Sequence, residues 1–158
     1  MKTLKKIVYS LLIILMISQF FTPEKNVGDI ISFSAFITET NPPENVKKIL
    51  ETICFDCHSF KTTYPCYNSI TPLNYWLEEH IKEGKKHVNF SKWSAYSLKK
   101  KAHKMDGLHE EVEELEMLLN SYTWTHSEAN LASKQVAEIV TWGKELQVDY
   151  KQQITVYN

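Results

Sequence analysis

The sequence predicts an all-α domain of about four to five helices, preceded by a hydrophobic N-terminal helix. Apolar residues recur at three- and four-residue spacing in successive segments after Asn41, which is the period of one helix face. Proline, glycine and asparagine punctuate those segments. No stretch alternates apolar and polar residues over strand length, so nothing asks for a half-buried sheet.

The N-terminus comes first in chain order. Lys2, Lys5 and Lys6 precede an almost unbroken apolar run from Ile7 to Phe21. A basic start followed by an apolar core is the pattern of an export signal, and the lysines stay on the cytoplasmic side. The segment Ser18-Gln19-Phe20-Phe21-Thr22-Pro23 places bulky aromatics where a cleavage site needs small residues. Residues 1–23 are therefore expected to remain as a membrane anchor helix, release after cleavage being the alternative. Residues 24–40 read as a tether, with apolar residues from Ile30 to Phe36 as a short segment that packs on the domain or stays loose. The folded domain is placed at 41–148, and the polar residues 149–158 are expected to fray.

Within the domain Asn41 is the expected N-cap of a first helix, with Pro42 and Pro43 in its opening turn and Val46, Ile49, Leu50 and Ile53 on its apolar face. A turn-rich loop from Lys61 to Asn68 follows. Thr71-Pro72 opens a second helix with the stripe Leu73, Trp76, Leu77, His80 and Ile81, and Gly84 is read as its stop. Phe90 and Trp93 lie in a short aromatic connection. Ser97 starts a long helix bearing Leu98, Ala102, Met105, Leu108, Val112 and Leu115, with Gly107 as a point of division. Residues 120–130 read as irregular. Ser133 caps a last helix that carries Val136, Ile139, Val140 and Leu146.

Chemistry concentrates in Cys54-Phe55-Asp56-Cys57-His58. A Cys-x-x-Cys-His run is the attachment pattern of a c-type haem. Two intervening residues let one helical turn offer both thiols to two vinyl groups at one edge of a porphyrin, and the next residue is an imidazole that can ligate iron. A buried pair of free cysteines would leave the histidine unexplained. A thioredoxin-like pair wants a strand before the motif, and a zinc site wants a second pair of ligands, whereas Cys66 stands alone.

Composition agrees with a folded globular domain. The chain is 43% hydrophobic and 23% charged, which separates it from disordered sequences. Its net charge is −1 and it contains no arginine, so nucleic acid is not an expected partner. A 12% aromatic share suits a small core enlarged around a planar cofactor.

Further residues resemble a known family. The series Asn41-Pro42-Pro43, the haem motif, Tyr64-Pro65, Trp76-Leu77, His80 to Gly84, Asn89-Phe90-Ser91, Trp93, Glu116-Met117 and Ser121-Tyr122-Thr123-Trp124 with His126 resembles the small bacterial haem-binding domain family from about residue 40 to 145. Phe20 to Asn26 is similar to that family's junction of anchor and tether. The resemblance implies a cytochrome c-like monohaem domain, helical, on the outer side of the cytoplasmic membrane. The chain departs from the family at Leu115 and Leu118, where Gly and Pro are usual around Glu-Met, and at Cys66, where Trp is favoured.

On this reading Cys54 and Cys57 are the thioether anchors of haem c and His58 is the proximal iron ligand. Met117, just before an irregular segment and supported by the resemblance, is the distal candidate; its other reading is a core methionine. His126 or His80 is the alternative distal ligand, although His80 on an apolar stripe is better explained as hydrogen-bonded to backbone. Met105 is read as core, and His87, His103 and His109 as surface residues. Tyr64, Trp76, Trp93, Tyr122 and Trp124, with Tyr67, are candidates for the pocket wall. Lys99-Lys100-Lys101 and the acids from Glu110 to Glu116 are expected to be a solvated face. The function expected is a membrane-tethered monohaem c-type cytochrome that transfers one electron to unnamed redox partners on the periplasmic side. The other classes are a haem-based sensor or small peroxidase-like enzyme with an open sixth site, and a thiol-disulfide protein using Cys54 and Cys57.

Overall fold

The structure is a computed structural model that describes residues 2–29, 33–117, 120–124, 126 and 129–156. Its helices are α1 (Lys2–Ser18), α2 (Ser34–Thr40), α3 (Glu44–Ile49), α4 (Phe55–His58), α5 (Leu73–His87), α6 (Leu98–Glu113), α7 (Asn120–Thr123) and α8 (Ser133–Val156). A π turn, Leu50–Cys54, joins α3 to α4, and 3-10 turns cover Cys66–Ser69 and Phe90–Ala95. The protein is all-helical, as the sequence predicts. Among the described residues the sole β feature is an isolated bridge between Val27 and Lys61.

The main packing unit is the antiparallel pair α6–α8. Lys144 pairs with Glu113 at 2.6 Å, Gln147 bonds Asp106, and Tyr150 lies level with Lys101. Gly143 lets the pair approach closely, since a Cβ there would sit 3.1 Å from Cβ of His109. Ser97 caps α6 as expected, its hydroxyl accepting from Lys100 N–H at 3.3 Å. Gly107 does not divide α6, which continues through it to Glu113.

Phe36, from the segment read as a tether, is fully buried and is the hub of the core. Its ring centroid lies 4.4 Å from Phe90, 4.9 Å from Trp93 and 6.1 Å from Trp142. The seven-residue α2 is thus held by one aromatic contact set rather than by helix propensity. Asn41 ends α2 instead of starting the next helix. It adopts φ 39° and donates its N–H to Ile37 O, the left-handed C-cap that asparagine tolerates. The C-terminal residues also differ from the expected frayed tail. Helix α8 runs to Val156, and Tyr150 is buried against Trp93, with the indole N–H 3.3 Å from the Tyr150 hydroxyl.

The lysine block does not form a wholly solvated face. Lys101 is buried and donates to both carboxylate oxygens of Glu39 at 2.7 and 2.8 Å, and the Tyr150 hydroxyl donates to Glu39 Oε1 at 2.7 Å. Burial pushes the Glu39 carboxyl up, but Lys101 and Tyr150 outweigh it and hold the pKa below the ordinary carboxylate value. His109, expected at the surface, is buried between α6 and α8.

Helix α1 stands apart, with no buried residue. Its seventeen residues correspond to about 25 Å at the α-helical rise. No helix among the described residues is long and apolar enough to cross a membrane, so the expected membrane-spanning anchor is not supported.

Candidate haem site

The motif closes a helical run that begins at Glu44, as its apolar spacing requires. Phe55 plugs this run into the core, with its ring 4.1 Å from Phe33 and 5.2 Å from Phe90. With Phe55 turned inward, Cys54 and Cys57 are left half-buried as free thiols. The π turn immediately before α4 shifts the helical register there, a local device that often occurs at functional positions. Ser59 then adopts an extended conformation and ends the helix.

His58 is buried, and its Nδ1 lies 3.1 Å from the carbonyl oxygen of Val88. That contact selects the tautomer with the proton on Nδ1, leaving Nε2 with a lone pair. Burial lowers the pKa of the imidazole, which favours the neutral form. A metal-ligating histidine ordinarily gives its other N–H to a carbonyl in this way.

Both thiols are pushed up to about 12, by burial first and then by the neighbouring Cys57 and Asp56 charges for Cys54, and by burial and Asp56 for Cys57. They remain protonated at neutral pH. A thiol-disulfide pair requires the reverse, a pKa lowered by a helix N-terminus or cation.

Two glycines explain how neighbouring chain reaches the motif. Gly84 sits inside α5 rather than stopping it; a Cβ there would lie 2.8 Å from Cys57 O. It is needed for close approach. Gly28 is similar, since a Cβ would lie 2.6 Å from Phe60 O, to which its N–H donates at 2.7 Å.

The residues ahead of Gly28 form a strap across the loop that follows the motif. Asn26 donates through its side-chain amide to Ser59 O at 3.0 Å and to Thr62 Oγ1 at 2.9 Å, and its N–H donates to the Tyr64 hydroxyl at 2.6 Å. Lys85 on α5 donates to Asn26 Oδ1 at 2.9 Å. Asp56 fixes the same loop by accepting from Thr63 N–H at 2.8 Å. Sequence reasoning missed Asn26, Gly28 and the Val88 carbonyl. The similarity at Phe20 to Asn26 was the available signal for the first.

The remaining candidates are placed as follows. Tyr64 is half-buried in the loop after the motif, under the strap, where its hydroxyl accepts from Asn26 N–H. Trp76 and His80 lie on α5 ahead of Gly84, their rings 4.5 Å apart, and His80 Nδ1 contacts Trp76 O at 2.8 Å. Trp93 belongs to the aromatic core, and Trp124 is 84% exposed. Tyr122 stacks on His126 with centroids 4.0 Å apart, and Tyr67 lies 6.0 Å from the same ring. His126 Nδ1 is 3.2 Å from Tyr122 O. Met105 is fully buried core, while Met117 is half-buried against it. Met117 N–H donates to Glu111 O at 2.9 Å, two residues after Leu115 at φ 59°. The glycine usual in the family would suit that left-handed position. Leu118 lies outside the described residues.

These residues fit the group that the motif implies. Two protonated thiols and a neutral imidazole with its outer nitrogen already bonded are the donor set for porphyrin and iron. A zinc site has no counterpart, because no group of three or more His, Cys, Asp or Glu able to hold a metal ion occurs among the described residues.

No curated protein and no solved structure is significantly similar to the chain. A sequence model described as a haem-binding domain matches residues 13–145. The match begins within α1, includes the strap and the motif, and ends within α8; covering most of the chain, it places this protein in the haem-binding domain family.

Proposed function

We propose that the protein is a membrane-associated monohaem c-type cytochrome that carries one electron between redox partners on the periplasmic side of the cytoplasmic membrane. The observation carrying this reading is the His58–Val88 contact beside two protonated thiols on the same helical run. Cys54 and Cys57 hold the cofactor through thioethers, and His58 supplies Nε2 as proximal ligand. When bound, haem supplies a reversible one-electron iron couple. Phe55 locks the motif to the core, Val88 keeps the imidazole oriented, and the Asn26 strap holds the loop beyond it.

Met117 is proposed as the distal ligand, supplied from the turn after α6. His126 or His80 is the alternative; in each, Nδ1 contacts a backbone carbonyl, Tyr122 O and Trp76 O respectively, which selects the same tautomer as in His58. A filled sixth position suits electron transfer; an open one would suit a sensor or a small peroxidase-like enzyme. The exposed apolar surface of α1 and its lysines support membrane association.

The test is an absorption spectrum of the purified chain, oxidised, reduced and with carbon monoxide. Low-spin spectra unaffected by carbon monoxide support an electron carrier. Rapid carbon monoxide binding would favour the open-site reading, and protein that binds no haem after c-type maturation would defeat both.

A further inference from the structure

The end of α1 is pinned to one particular turn of the domain. The side-chain amide of Gln19 donates to Thr71 O at 3.0 Å, while Thr71 N–H donates back to Gln19 Oε1 at 2.9 Å. The Thr71 hydroxyl also donates to Phe21 O at 3.3 Å. A side-chain amide paired in both directions with one backbone residue fixes orientation as well as distance.

The residues around this pin are large, apolar and exposed. Phe20 and Phe21 on the strap are 87% and 62% exposed. On the domain side, Ile70 and Leu73 flank Thr71 and Pro72 and are 50% and 41% exposed. Isolated apolar residues on a surface need no explanation, but a continuous group does. This group continues the exposed apolar surface of α1, which includes Met16 and Ile17. From Ile7 to Ile17, α1 is apolar on nearly every side; such a segment belongs in a protein core or in lipid, and α1 buries nothing in the domain.

We propose that the Ile70–Leu73 turn, together with Phe20 and Phe21, is a second membrane contact that seats the domain on the lipid surface. This rests on the membrane-associated reading above. Its occupant is the bilayer interface, because the patch is continuous with α1 and the pin prevents the two from separating. Aromatic and aliphatic side chains at this level partition into the interfacial zone. The Asn26 strap begins a few residues further on. The motif loop is therefore held at a fixed setting relative to the lipid, rather than on a free tether, and its redox partner is one reached at the membrane.

The experiment is site-specific photocrosslinking of the full haem-loaded chain in native membranes. A diazirine amino acid is placed at Ile70, at Leu73 or, as a control, at the equally exposed Val148 on α8. Lipid adducts on the peptides containing positions 70 and 73, at least severalfold above those at 148, are expected. Adduct levels equal to the control would overturn the proposal, as would crosslinks from 70 or 73 to a second copy of the chain. Membrane pelleting and haem staining are measured on the same samples. Loss of pelleting would defeat the membrane-associated reading itself, and loss of haem would defeat the cytochrome reading. Pelleted, haem-stained protein without adducts would defeat the second contact alone.

Discussion

Gly84 and Cys57 meet so closely that a methyl group on Gly84 would sit 2.8 Å from the Cys57 carbonyl oxygen and 3.2 Å from its Cβ. Helix α5 thereby becomes the floor under the haem motif. Backbone cannot yield as a flexible side chain can, so Gly84→Ala is expected to push α5 off α4. Overpacking of this kind costs about 1–3 kcal/mol, reduced by the better helix propensity of alanine. The thermal midpoint and the fraction of chain carrying haem should fall together. An unchanged yield of attached haem would show that this contact does not position Cys57.

Both cysteines are expected to carry the cofactor covalently. Protein made with a c-type maturation system should keep haem through denaturing electrophoresis and acid-acetone extraction. Cys57→Ser should leave at most one linkage, seen as a shifted pyridine haemochrome band. His58→Ala should remove the proximal ligand while leaving two thiols, so that any haem still attached becomes high-spin.

Met117 as distal ligand predicts a weak near-infrared sulfur-to-iron charge-transfer band in the ferric protein. Met117→Ala should abolish it and open the iron to cyanide or carbon monoxide. Survival of the band in that variant would exclude Met117. If His126→Ala instead changes the spin state, the ligation is bis-histidine and the potential is lower than a thioether would give.

The Lys101–Glu39–Tyr150 network predicts a definite pH dependence. The pKa of Glu39 is lowered in the folded chain from an ordinary 4.5, so its contribution is full above that value. It is lost as pH falls through the lower folded pKa. Urea midpoints should therefore drop below about pH 4.5 more steeply in the parent than in Glu39→Gln. At neutral pH, Lys101→Met should cost roughly 1 kcal/mol, because Glu39 loses its cation but is solvent-exposed and keeps the Tyr150 hydroxyl.

Helix α6 and the turn that follows it offer two stabilising substitutions. A Cβ on Gly107 meets nothing within 4 Å, so Gly107→Ala should gain roughly 0.5–1 kcal/mol from helix propensity. Leu115 has φ 59° and is 70% exposed, so Leu115→Gly should relieve left-handed strain and gain roughly 0.5–1 kcal/mol. Calorimetric midpoints of the two variants check both, and a fall in the second would mean that the leucine side chain holds the turn before Met117.

Much of the candidate site was legible because its residues are local. Cys54, Cys57 and His58 are adjacent in sequence, and the helical period of Val46, Ile49, Leu50 and Ile53 places them at a helix end. Gly84 was read as a helix stop because propensity concerns a residue and its own helix. Its actual reason lies across space, in the backbone of Cys57. The same limit concealed Asn26, whose four partners are spread between Ser59 and Lys85. It also concealed Phe36, whose apolar character was visible but whose central position in the core was not.

The sequence by itself determined the helical class, most core-facing residues of the helices (Leu73 and Leu115, placed on apolar stripes, are exposed) and the position of the Cys-x-x-Cys-His run at a helix end, since each follows from periodicity or from spacing along one chain segment. Tertiary structure alone decided that Val88 orients the His58 ring, that α5 comes within contact of Cys57, and that Lys101 turns inward to Glu39. Those outcomes depend on which distant backbone or charge arrives beside a residue. Close packing and the need to satisfy buried polar groups settle that only when the whole chain is assembled.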